Sequence, residues 1–176
     1  MPAPKDAKGR VMGSKRLLEE LESAIPGFAG YKQKELRREA DKLLREQLAR
    51  ELKEVDSRID AVYGDIVDSK LTAHYQTMDA ITAMMDVIIG KVETADYGYA
   101  GFFSAVKVAE DALDSVYDFD KALFADVTMM GKKADELAEA VADESAVGKL
   151  AKELRAAVMD FDKKFDRRKD VLLKLE

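Results

Sequence analysis

From Leu48 onward the apolar positions Leu48, Leu52, Val55, Ile59, Val62 and Ile66 recur at alternating spacings of four and three. That is the seam of a helix packed in coiled-coil fashion. A second stripe follows at Leu71, His74, Met78, Ile81, Met85, Ile88, Val92 and Ala95. A third runs through Val106, Ala109, Leu113, Val116, Asp120, Leu123, Val127, Met130, Ala134, Leu137 and Val141. The fourth is Val147, Ala151, Leu154, Val158, Phe161, Phe165, Arg168, Leu172 and Leu175. Upstream of all of them, Leu17, Leu18, Leu21 and Ile25 line one side of a short amphipathic segment that Pro26 and Gly27 stop.

These stripes predict helices over about 14–25, 32–68, 70–95, 102–142 and 145–176. Ser69 and Ser145 stand where N-caps are expected, just after the breaks at Asp68 and Asp143. Near the start of the long second segment, Leu36, Ala40, Leu43 and Leu44 slip the apolar phase by one. Pairs such as Asp41/Arg45, Glu46/Arg50 and Glu54/Arg58 stand at i,i+4 and are expected on its exposed face. No segment alternates with period two over a useful length, so no sheet is predicted. Four long helices joined by short turns are expected to be antiparallel neighbours. The fold class is therefore all-α: an elongated antiparallel four-helix bundle or coiled coil with a short extra N-terminal helix. Residues 1–13, with Pro2, Pro4, Gly9 and Gly13, are expected to be a mobile tail, and 14–176 a single bundle domain.

Composition narrows the function classes. Cysteine is absent, which removes disulfides, thiolate metal sites and thiol nucleophiles. No stretch approaches the roughly 18 uncharged apolar residues of a membrane span, and the polar, basic start lacks a signal-peptide core. A cytoplasmic location is expected. The net charge of −6 conceals segregation. Residues 1–53 carry 13 Lys/Arg against 9 Asp/Glu, residues 54–148 carry 7 against 20, and residues 149–176 carry 9 against 6. An acidic middle between basic ends suits elements of one chain that attract each other, and argues against a nucleic-acid surface.

Three polar residues interrupt the stripes: His74, Asp120 and Arg168. Folding the chain at its expected turns brings all three to one level, with Gly64 leaving space beside them. This candidate buried polar layer reads as a register-fixing device, with proton chemistry or anion binding as the alternative. No nucleophile or second acid/base accompanies the trio, so no catalytic residue is assigned. Glu-x-x-His pairs, a Walker loop, a GxGxxG turn and a GxSxG elbow are all missing from the sequence. The repeated DFDK at Asp118 and Asp160 places its carboxylates at i,i+2, which diverge on a helix. No metal site and no cofactor are expected.

One motif occurs twice. Gly27–Tyr31 reads GFAGY and Gly98–Phe102 reads GYAGF, and over Leu21–Tyr31 against Val92–Phe102 five of eleven positions are identical. Each copy reads as a corner that closes one helix and opens the next. Folding places both at one end of the bundle, giving an aromatic tip of Phe28, Tyr31, Tyr97, Tyr99, Phe102 and Phe103. The rings either plug the bundle end or form a contact surface. A basic patch, Lys32, Lys34, Arg37 and Arg38, follows the first copy.

The segments GYKQKELRREADKLLRE (Gly30 to Glu46) and DYGYAGFFSAVKV (Asp96 to Val108) resemble an uncharacterised family of helical proteins from bacteria and archaea. The resemblance implies a fold and no chemistry, and makes the two turns part of one recurring design. The sequence thus leads to a non-enzymatic cytosolic scaffold or adaptor. It would bind a protein partner through the aromatic tip or acidic flank, with self-association among its modes. The alternative is a peripheral membrane protein using a basic amphipathic N-terminal arm, Arg10 to Phe28, on an anionic lipid surface.

Overall fold

The computed structural model describes residues 34–95 and 110–173, with side chains over 42–95 and 118–168. All regular structure among the described residues is helical. Helix α1 spans Lys34–Asp68, a 3₁₀ turn covers Thr72–His74, α2 spans Tyr75–Thr94, α3 spans Glu110–Glu139 and α4 spans Glu144–Leu173. At 1.5 Å per residue the 35-residue α1 is about 52 Å long.

The four stripes are the core. Leu48, Leu52, Ile59 and Ile66 of α1 meet Met78, Ile81, Met85 and Val92 of α2, and all eight are fully buried. Leu123, Met130 and Leu137 of α3 and Val147, Leu154, Val158 and Phe161 of α4 complete one continuous cluster. Burial of these side chains, each contributing about 1.5–3 kcal/mol, outweighs anything the helices' own propensities supply.

Residue pairs fix how the helices lie. Lys53 bonds Glu93, Tyr63 bonds Asp79, and the Tyr75 hydroxyl reaches the Val67 carbonyl, so α1 and α2 run in opposite directions. Lys133 bonds Glu153, Lys164 pairs with Asp126 and Arg168 bonds Asp120, so α3 and α4 do likewise. Between these two hairpins, contacts join helices of like direction. His74 lies on Gly148 and Lys91 on Asp162 and Asp166 along α2 and α4, while Val55 and Arg58 touch Gly131 and Arg58 bonds Asp135 along α1 and α3. Helix α2 thus packs on α1 and α4, and its principal contacts do not include the next helix in sequence, α3. This differs from a bundle in which every consecutive pair is an antiparallel neighbour. The turns inside each hairpin are only a few residues long and force adjacency. Fourteen residues separate Ala95 from Glu110, a span that imposes none.

The turns are built differently from the serine caps expected. After α1, Lys70 adopts φ 58°, the left-handed conformation usually given to glycine. The Leu71 N–H returns to the Ile66 carbonyl at 3.1 Å and the Lys70 N–H to that of Val67 at 2.9 Å, a Schellman closure. Ser69 lies inside this closure and caps nothing, and α2 begins at Tyr75 with no side-chain cap. At the second hairpin the Asp143 carboxylate accepts the N–H groups of Ser145 and Ala146 at 3.0 and 3.2 Å, so Asp143 replaces Ser145 as the N-cap.

Candidate functional site

Three charged residues are buried among the described side chains: Arg45, Asp120 and Arg168. Asp120 and Arg168 stand in the apolar seams of α3 and α4, 1% and 2% exposed. The Arg168 Nε donates to Asp120 Oδ1 at 2.7 Å and its Nη2 to Oδ2 at 3.0 Å. This two-pronged geometry is the strongest that a carboxylate and a guanidinium can form. One turn away, Phe161 and Phe165 stack in parallel on α4, their centroids 6.3 Å apart.

The third member of the expected layer is elsewhere. His74 closes the 3₁₀ turn at the opposite end of the described bundle, with its ring against Gly148. Gly148 and Arg168 are 20 residues apart on α4, a rise of about 30 Å. His74 therefore joins no site with Asp120 and Arg168. A Cβ on Gly148 would sit 3.0 Å from the imidazole Cε1, so glycine is what admits the ring. The His74 Nε2 is buried with no hydrogen-bond partner, which marks the residue as a packing element of the hairpin end. Gly64 is exposed, with nothing within 4 Å of where a Cβ would stand, and leaves no space beside the ion pair.

Arg45 is the buried charge that sequence reasoning missed. It was expected on an exposed face paired with Asp41, yet is 4% exposed. The contacts of Val55 with Gly131 and of Arg58 with Asp135 set an offset of 76–77 between α1 and α3. Carried back along α1, that offset places Arg45 beside Lys121 and within a turn of Asp120. None of Arg45, Asp120, Lys121 and Arg168 is without a partner. The available signal was the phase slip at Leu43 and Leu44, which rotates the following residue inward; Leu44 is buried as well. Arg45 also borders a cleft of ≈ 430 Å³ whose other walls include Ala49, Arg50, Lys53, Val92 and Glu93. Lys53 and Glu93 already satisfy each other across it at 2.5 Å.

A second charged feature lies on the outside of the first hairpin. Asp56, Asp60, Asp79 and Asp86 crowd the α1–α2 groove. Partial burial, and then the charges of Asp60 and Asp86, raise the Asp56 carboxyl above its ordinary value. The Tyr63 hydroxyl donates to Asp79 at 2.5 Å, and that bond raises the phenol. Along α2 and α4, Lys91 bonds Asp162 at 2.6 Å and Asp166 at 3.2 Å, which holds its ammonium above the usual lysine range. The Lys133 ammonium holds Glu153 below the usual carboxylate range.

No group of three or more metal-binding side chains converges among the described residues, and no helix described is long and apolar enough to cross a membrane. The aromatic tip, Phe28, Tyr31, Tyr97, Tyr99, Phe102 and Phe103, lies outside the described residues, as do Lys32 and the N-terminal arm. Lys34, Arg37 and Arg38 fall on the first turns of α1, where the backbone alone is described. Compared with known proteins, the chain matches no family model, no curated protein and no solved structure. The resemblance of its two segments therefore carries no family assignment.

Proposed function

We propose that the chain is a non-enzymatic helical scaffold or adaptor of the cytoplasm, an elongated bundle of two antiparallel hairpins that binds a protein partner through its acidic flank. The observation that carries this reading is the crowding of Asp56, Asp60 and Asp86, where partial burial, and then the charges of Asp60 and Asp86, raise the Asp56 carboxyl. Carboxylates held together on an exposed face are relieved by a basic partner, and the relief adds to binding and steers encounter. The buried Asp120–Arg168 pair fits a register-fixing role, since the two ions meet in a two-pronged bond inside a dry seam. The test is affinity capture from native lysate with the wild type and with Asp56→Asn/Asp60→Asn/Asp86→Asn. Loss of the captured proteins in the triple variant is expected. Equal recovery of the same proteins refutes the acidic flank as the docking surface.

A further inference from the structure

The groove between α1 and α2 changes sign along its length. Its lower end is the cleft, where Ala49 and Val92 are buried and Arg45, Arg50 and Lys53 stand around them. The acids of the cleft are already engaged: Glu93 is held by Lys53 at 2.5 Å, and Glu46 stands 3.8 Å from Lys42. Arg50 is exposed and makes no ion pair among the described residues. Above the Lys53–Glu93 rung come Asp56, Asp60 and Asp86, and the Tyr63–Asp79 bond closes the upper end. The cations nearest in sequence do not serve them, since Arg58 is turned to Asp135 on α3 and Lys91 to Asp162 on α4. Upward from the start of α1, the groove is therefore basic and then acidic.

The chain that leads into α1 carries the complementary blocks in the matching order. Going back from Lys34, residues 17–25 hold Glu19, Glu20 and Glu22 and no base, among Leu17, Leu18, Leu21 and Ile25. Residues 1–16 then hold Lys5, Lys8, Arg10, Lys15 and Arg16 against Asp6 alone. We propose that residues 5–22 occupy this groove of their own chain, running opposite to α1, with Glu19, Glu20 and Glu22 at the cleft and the basic block along Asp56, Asp60 and Asp86. Chain length permits it. Arg45 and Arg50 stand about 17 and 24 Å up α1 from Lys34. The eight residues 26–33 span up to about 27 Å when extended, which carries Glu22 to that level. With Glu20 beside Arg50, Arg16 and Arg10 lie about 6 and 15 Å higher at helical rise, and Asp56 and Asp60 about 9 and 15 Å higher. Such exposed pairs are individually weak, but the tether presents the segment at about millimolar effective concentration. The segment shields the acidic flank, and a basic protein docks there by displacing it. That consequence rests on the reading of the flank as the docking surface; the contact itself does not.

Because the chain has no cysteine, paired thiols in the full chain test the contact. Ser23→Cys/Glu46→Cys joins the segment to the cleft rim, and Ser23→Cys/Met129→Cys is the control, Met129 being exposed on α3. In a glutathione redox buffer the first pair should close within one chain at least tenfold more readily than the second. Adding Arg50→Glu to the first pair should lower its closure severalfold, and further adding Glu19→Lys/Glu20→Lys/Glu22→Lys should restore it, with helical circular dichroism unchanged throughout. Equal closure of the two pairs, links that form between chains instead of within one, or indifference to Arg50→Glu overturns the proposal. Lys5→Ser/Lys8→Ser/Arg10→Ser should also raise severalfold the recovery of the proteins captured through the flank. If the first pair closes as expected while Asp56→Asn/Asp60→Asn/Asp86→Asn still captures the same proteins, the intramolecular contact stands and the flank reading alone fails.

Discussion

Replacing Asp120 by leucine perturbs the one two-pronged ion pair in the described core. Its partner Arg168 is 2% exposed and donates to both carboxylate oxygens, at 2.7 and 3.0 Å. Deleting the carboxylate leaves a guanidinium in a dry seam beside Phe161 and Phe165, a loss of about 3–5 kcal/mol. In a chain of this size each kcal/mol moves the melting temperature by about 2–4 °C, so a fall of roughly 6–20 °C is expected. Asp120→Leu/Arg168→Met removes both charges and keeps the volume apolar. That double variant should lie within about 1–2 kcal/mol of the wild type, or above it. Urea denaturation followed by circular dichroism measures all four species, and a midpoint change at constant slope reports stability alone. The coupling energy should then exceed about 2 kcal/mol, at the upper part of the range for contacting pairs. A single variant that loses less than about 1 kcal/mol, or a double variant that loses as much as the single, refutes the assignment of a mutually dependent buried pair.

Other perturbations read local features. Lys70→Gly should stabilise the chain by about 0.5–1 kcal/mol in the same assay, because φ 58° strains a side chain and not glycine. Gly148→Ala should fail to give the roughly 1 kcal/mol that alanine brings to a helix interior, since its Cβ meets the His74 ring at 3.0 Å. In a His74→Ala background the same substitution should recover that gain, and thermal melts of the four chains check it. Asp56→Asn should raise the melting temperature at neutral pH. The folded-state carboxyl lies above its ordinary value, so its ionisation opposes folding, and the penalty disappears as pH falls through that raised value. The advantage of Asn should vanish near pH 3, where the carboxyl is protonated in both states.

What was legible in the sequence was set by period. The three–four spacing placed Leu48 through Ile66, Met78 through Val92 and Val147 through Phe165 on buried faces, because a helix must hide whichever stripe is apolar. The same periodicity identified Asp120 and Arg168 as seam residues. Level along the axis is a different quantity, and period does not determine it. The level inferred for His74 assumed a close turn between Ala95 and Phe102; the His74 contact with Gly148 and the Asp120 bond with Arg168 separate them by most of α4. Caps fell in between. Both breaks were visible as polar clusters, but the closing group was Lys70 in one and Asp143 in the other, and backbone conformation decides that choice.

Charge segregation divides between the fold and its surface. The basic C-terminal stretch does meet the acidic middle, through Lys164 with Asp126 and through Arg168 with Asp120. In the second of these the ions are desolvated, and removing one partner of such a pair costs several kcal/mol; exposed pairs contribute about 0–1 kcal/mol and fade with salt. Lys149, Lys152, Arg155, Lys163 and Arg167 of α4 are exposed. Lys149 and Lys163 reach only loose neighbours on their own helix, at 3.9 and 3.6 Å. A solubility surface is served by mixed signs, as on most helices.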